Sequence, residues 1–88
     1  MSMPTWFVYM VRCGDGSLYT GIAIDVVKRI ALHNAGKGAK YTRARLPVVL
    51  VWSAAMKSAT DARKAEVDVK RLSKKEKEQL IGLHVRRG

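Results

Sequence analysis

The sequence predicts an α+β domain: a small, mostly antiparallel three-stranded sheet flanked by helices, in the order ββαβαα. Three observations lead there. Two short aromatic and β-branched runs sit on either side of a glycine-rich turn, the mark of a β-hairpin. A third apolar run follows later, and amphipathic segments with recognisable starts occupy the rest. Strands mixed with helices in a chain of 88 residues suit one mixed layer more than a sandwich or a bundle. A chain of this length forms a single domain, here 1–88.

Trp6-Phe7-Val8-Tyr9-Met10-Val11 reads as the first strand, and Leu18-Tyr19-Thr20-Gly21-Ile22 as the second. With Gly14-Asp15-Gly16 as a three-residue loop, Cys13 pairs with Ser17, Val11 with Tyr19, and Tyr9 with Gly21. Tyr9 and Tyr19 then share a face as diagonal neighbours. A two-residue loop would send them to opposite faces, and glycine at the third loop position favours the longer turn. Asp25 is the N-cap of a helix running to about Asn34, with Gly36 to end it. Val26, Val27, Ile30 and Ala31 are its expected apolar face. Arg29 and His33, four residues apart, stack on one polar side of it. A basic loop follows, carrying Lys37, Lys40, Tyr41, Arg43 and Arg45. Pro47 precedes a third strand, Val48-Val49-Leu50-Val51-Trp52, whose unbroken apolar character predicts a buried, central position. Ser58 and Asp61 open a helix with Ala59, Ala62, Ala65, Val69 and Leu72 on one stripe. Glu66 falls at the edge of that stripe, where a carboxylate needs a compensating cation. Ser73-Lys74-Lys75-Glu76 is a capping box for a last helix packing through Leu80, Ile81 and Leu83. The terminal pair Arg86-Arg87 is expected to be disordered.

Seventeen basic residues against seven acidic give a net charge of +10, a field that attracts polyanions. The start of the chain has no charged n-region or long apolar core, so no signal peptide is expected. No run is long enough to span a membrane. A single cysteine, Cys13, excludes an internal disulfide and suits a reducing, cytoplasmic setting.

The tyrosines, the Arg29–His33 helix and Glu66 together resemble the GIY-YIG endonuclease superfamily, in particular its small stand-alone bacterial members. The residues that carry the resemblance are Phe7-Val8-Tyr9, then Tyr19-Thr20-Gly21, the helix from Asp25 to Asn34, the stretch Gly36-Lys37-Gly38-Ala39-Lys40-Tyr41-Thr42-Arg43, and Glu66 ahead of Lys70-Arg71-Leu72-Ser73. It spans about residues 5–83. Val8 and Thr20 depart from the usual middle residues. Ile22 stands where some repair nucleases of the family carry lysine, and no appended DNA-binding domain is seen.

The resemblance implies hydrolysis of nucleic-acid phosphodiesters, DNA first, with one divalent cation, Mg²⁺ or Mn²⁺. By position, Glu66 would hold the metal, Arg29 would bind the scissile phosphate, and Tyr9 and Tyr19 would handle the attacking water with His33 beside it. Asn34 and Lys70 would support the site, and Lys37, Lys40, Tyr41, Arg43 and Arg45 would track the nucleic-acid backbone. A role in DNA repair and a protein partner supplying specificity fit the same picture. Chemically, an always-charged guanidinium suits phosphate, and one carboxylate suffices for an ion that keeps its waters. Tyr19 is favoured as base, with Tyr9 and His33 orienting the water. The competing readings are a nucleic-acid-binding module with little cleavage of its own, and a small protein-binding adaptor.

Overall fold

A computed structural model describes residues 4–86, and the side chains as far as residue 83. The sheet has three antiparallel strands in the order β2-β1-β3. They are β1 (Trp6–Arg12), β2 (Leu18–Ala23) and β3 (Val49–Met56). The helices are α1 (Val26–Asn34), α2 (Lys40–Arg43), α3 (Ala59–Arg71) and α4 (Lys74–Arg86). The order ββαβαα holds, and α2 is one extra helical turn inside the basic loop. Because α4 runs to Arg86, only Arg87 of the terminal pair lies outside the described residues.

The hairpin has the register the three-residue loop predicts: Val11 faces Tyr19 and Tyr9 faces Gly21. Gly16 sits at φ 85°, the left-handed conformation such a loop requires. Across the loop Cys13 N donates to Ser17 O at 2.8 Å and Gly16 N donates to Cys13 O at 2.9 Å.

β1 is the central strand, and β3 lies at an edge, which corrects the expectation drawn from β3's apolar run. Val49 and Leu50 are exposed. An unbroken apolar run marks burial on both faces only when helices cover both. β1 meets that condition: Tyr9 and Val11 pack in one core cluster, with Val26 and Ile30 of α1 against it. Val8 and Met10 pack in the other, with Val69 of α3 and Ile81 of α4.

Helix α1 is capped as expected, the Asp25 carboxylate accepting from Lys28 N at 3.0 Å. Its inward stripe differs from the apolar one proposed. Val27 is 80% exposed and Ala31 is exposed, whereas Val26, Arg29, Ile30 and His33 turn inward. Two polar side chains therefore occupy helix positions that ordinarily pack a core. In α3 the expected stripe is present, with Ala62 and Val69 buried. The capping box of α4 is reciprocal: Glu76 N donates to Ser73 Oγ at 3.1 Å, and Ser73 N donates to the Glu76 carboxylate at 2.9 Å. Ile81 anchors α4 while Leu83 is 64% exposed, so the packing face is narrower than expected. A two-pronged Arg12–Glu78 pair, at 2.9 and 2.6 Å, ties α4 to the central strand. Among the described residues no helix is long and apolar enough to cross a membrane.

Candidate active site

Tyr9 rises from the central strand towards α1, and its phenol lies across Gly21 of the edge strand β2. A Cβ at Gly21 would sit 2.7 Å from the Tyr9 oxygen and 2.8 Å from Cζ. The missing side chain at Gly21 is thus what lets the phenol extend to the β2 edge. There it meets His33, its oxygen 2.8 Å from Nε2. Tyr9 is 1% exposed and His33 0%.

The imidazole is held from its other side by a residue that the sequence did not single out. Nδ1 of His33 lies 2.8 Å from the Thr42 hydroxyl oxygen, and that hydroxyl donates to the Ala39 carbonyl at 2.9 Å. Thr42 is completely buried. The loop between α1 and α2 can close this tightly because residue 38 is glycine: a Cβ there would come 2.7 Å from Cγ of His33. The two glycines of the basic loop therefore serve the fold. Gly36, at φ 75°, turns the chain out of α1, and Gly38 packs on the imidazole. No sequence signal separated Thr42 from its charged neighbours, because its role exists only once the loop has closed.

Tyr19 shares the face of Tyr9. Its ring lies edge-on to His33, centroids 5.4 Å apart, and stacks on Tyr41 at 6.0 Å. Arg45 covers Tyr41 from 3.9 Å. Arg45 also pairs with Asp15 at 3.1 Å and donates to the Tyr41 carbonyl at 2.9 Å. It thus braces the loop as well as lending charge to it. Lys37, Lys40 and Arg43 are exposed.

Four charged or ionisable groups converge on the Tyr9 phenol. Burial raises its pKa above the ordinary tyrosine value. The nearby Arg29 guanidinium opposes that, while Tyr19 and the Glu66 carboxylate add to it. Burial, and then Arg29, push His33 below the ordinary histidine value, so at neutral pH the imidazole is uncharged. Nε of Arg29 is buried without a hydrogen-bond partner among the described residues. A buried donor left open in this way calls for an acceptor.

Glu66 comes from α3, which packs with the other face of the sheet. Its charge is nonetheless felt at the Tyr9 phenol, as the smallest of the influences there. Its side chain is 22% exposed, and Lys70, one turn on, pairs with it at 3.3 Å. Among the described residues no cluster of three or more His, Cys, Asp or Glu groups exists, so any metal would rest on Glu66 with waters and substrate oxygens. A partly buried carboxylate already facing one cation fits a hard ion of that kind. Asn34 is placed elsewhere. It accepts from Val48 N at 2.7 Å and donates to Val48 O at 3.0 Å, clamping the start of β3.

Two clefts flank these residues. One, of about 210 Å³, is lined by Leu18, Tyr19, Thr20, Tyr41, Lys70 and Lys77. The other, of about 380 Å³, includes Trp6, Ile22, Lys28 and Arg29, with Asp25 also on its wall. Both combine ammonium or guanidinium groups with apolar walls, which suits a phosphate chain with attached bases.

The GIY-YIG catalytic domain model matches residues 5–79 of the chain. A UPF0213 protein of Cronobacter sakazakii is 48% identical over 90% of this chain and 83% of its own length. One from Staphylococcus haemolyticus is 48% identical over 90% and 96%. Among solved structures, the UPF0213 protein BH0048 from Bacillus halodurans is 49% identical, covering 90% of this chain and 84% of that one, with a TM-score of 0.58. The protein EF2693 from E. faecalis is 32% identical, covering 96% and 91%, with a TM-score of 0.61.

Proposed function

The chain belongs to the GIY-YIG catalytic domain family, and from that premise we propose that it is a metal-dependent endonuclease hydrolysing phosphodiester bonds in nucleic acid, DNA first. The observation that carries the proposal is the convergence on Tyr9. One phenol feels a guanidinium, a second phenol and a lone carboxylate, and hydrogen-bonds a buried neutral imidazole.

Each residue then has a task set by its chemistry. Arg29 binds non-bridging oxygens of the scissile phosphate, its open Nε providing a donor for one of them. Preorganised donors aimed at developing charge are usually the largest catalytic contribution. Glu66, partly buried and now paired with Lys70, would hold one divalent ion, Mg²⁺ or Mn²⁺. When bound, that ion supplies positive charge against the phosphate and favours ionisation of nearby water. Tyr9 and Tyr19 position the attacking water. The sequence favoured Tyr19 as the base, but no hydrogen bond from its hydroxyl is seen among the described residues, while Tyr9 has one to an imidazole. We therefore assign proton acceptance to Tyr9 and orientation to Tyr19. Lys37, Lys40, Arg43, Tyr41 and Lys77 track the backbone on either side, with Lys70 beside Glu66 between the site and that track.

The test is a cleavage panel. Labelled nicked, flapped and single-stranded DNA is incubated with the protein and Mg²⁺, Mn²⁺ or EDTA, and strand scission is resolved on denaturing gels. The expected result is scission that requires the ion. Salt-sensitive binding of the same DNA with no scission under any ion would leave a binding module instead.

A further inference from the structure

We propose that Thr42 is a positioning residue: it fixes His33 in the tautomer protonated at Nδ1, so that Nε2 can take the proton that Tyr9 gives up on receiving one from the attacking water. The proposal rests on the nuclease reading and adds to it a direction for proton flow.

The direction follows from counting hydrogens. A threonine hydroxyl has one hydrogen to donate. That hydrogen is directed at the Ala39 carbonyl, 2.9 Å away, which also accepts from the N–H groups of Thr42 and Arg43 at 3.1 Å, and a carbonyl can only accept. Towards His33, 2.8 Å away, the Thr42 oxygen therefore has only lone pairs to offer. In the proposed arrangement Nδ1 is the donor there and carries the ring hydrogen. A neutral imidazole has one ring hydrogen, so Nε2 presents a lone pair. The contact at 2.8 Å between Nε2 and the Tyr9 oxygen is then a hydrogen bond donated by the phenol. Every link points the same way, from Tyr9 through His33 and Thr42 to the main chain of residue 39.

Solvent does not compete for these bonds. Tyr9, His33 and Thr42 are all essentially unexposed, and Gly38 lets the loop lie directly on the imidazole. Burial keeps the proton on the phenol at rest, since it disfavours both phenolate and imidazolium.

The Tyr9 hydrogen thus points into the core, and the phenol oxygen, which the Arg29 guanidinium also approaches, meets the attacking water once substrate draws Arg29 to its phosphate. During reaction the water O–H bond breaks and its proton passes to the Tyr9 oxygen. The phenol's original proton passes to Nε2, giving an imidazolium whose Nδ1–H still donates to Thr42. The water oxygen bonds to phosphorus as the bond to the leaving oxygen breaks, and the leaving oxygen takes a proton from solvent. His33 then returns its proton through Tyr9 to bulk water. The net change is addition of water across one P–O bond. No phenolate has to exist free; the charge appears instead as an imidazolium, which burial and Arg29 oppose and the negative charge developing on the phosphate offsets. A hydrogen-bond partner that sets an imidazole's tautomer has a large effect elsewhere in enzyme chemistry.

The experiment reads the tautomer directly. Long-range ¹H–¹⁵N spectra of the uniformly labelled full chain near neutral pH distinguish protonated from unprotonated ring nitrogens, and His84→Gln separates His33 from the second histidine of the sequence. Wild type and Thr42→Ser are expected to show protonated Nδ1 and bare Nε2. Thr42→Val keeps the shape but loses the acceptor, and should lose that preference. In cleavage assays Thr42→Val should lower kcat roughly 10²-fold with KM for DNA little changed, and Thr42→Ser should restore it. Protonated Nε2 in the wild type, or a Thr42→Val protein with unchanged tautomer and kcat, overturns the proposal. The expected tautomer in a wild type that cuts nothing would uphold the positioning by Thr42 and sink the nuclease reading. Cleavage with the opposite tautomer would sink the relay alone.

Discussion

His33 is an imidazole in a place where helices usually bury leucine, and its surroundings make stability depend on pH in one direction. Burial and Arg29 hold its pKa below the ordinary value, so the folded protein resists protonation that the unfolded chain accepts. Above about pH 6.5 the group is neutral in both states and contributes no slope. As pH falls from there through the lower folded value, stability is lost, and below that value the loss levels off. Thermal melts from mildly alkaline to mildly acid pH should show this decline in the wild type and a flatter profile in His33→Gln. Equal profiles would mean that the imidazole is not buried neutral. At this scale much was legible. The hairpin loop put Tyr9 and Tyr19 on one face, and helical spacing put Arg29 beside His33 and Glu66 at a stripe's edge. Thr42 and Gly38 were not legible, because each matters through a neighbour that only the closed loop supplies.

Among the elements, the β2 edge carries the site, and its geometry turns on a glycine. An alanine at Gly21 would place its Cβ 2.7 Å from the Tyr9 oxygen, so the phenol must swing away or the strands must part. Overpacking of this kind costs about 1–3 kcal/mol, and for a chain this size each kcal/mol moves Tm by roughly 4–8 °C. Gly21→Ala should therefore melt several degrees lower and lose the Tyr9–His33 hydrogen bond together with cleavage. A variant with wild-type Tm and activity would show that the phenol does not lie where the site requires it. The same scale holds the clearest misreading. The apolar run of β3 suggested a central strand, yet β1 is central. Both runs look alike in sequence, and only the helices covering both faces of β1 tell them apart. α2 escaped notice for a related reason. Its single turn has no side-chain cap and stands because Thr42 is anchored on His33 and Tyr41 on Tyr19.

For the molecule as a whole, the charge of +10 pointed to a polyanion, and the element order was that of the α+β architecture observed. The charge speaks to encounter with polyanions and says nothing of chemistry. The proposed cleavage requires that groups from α1, α3 and two strands act together at one edge of the sheet. Residues that act as a unit give strongly non-additive effects when removed. Single-turnover strand scission should therefore be measured for the wild type, Arg29→Ala, Glu66→Ala and the double variant on one labelled DNA with Mg²⁺ or Mn²⁺. Each single substitution should slow scission at least about 10²-fold, with the double variant no slower than the slower single. Single variants that cut at the wild-type rate, or a wild type that cuts with neither ion, would contradict the account.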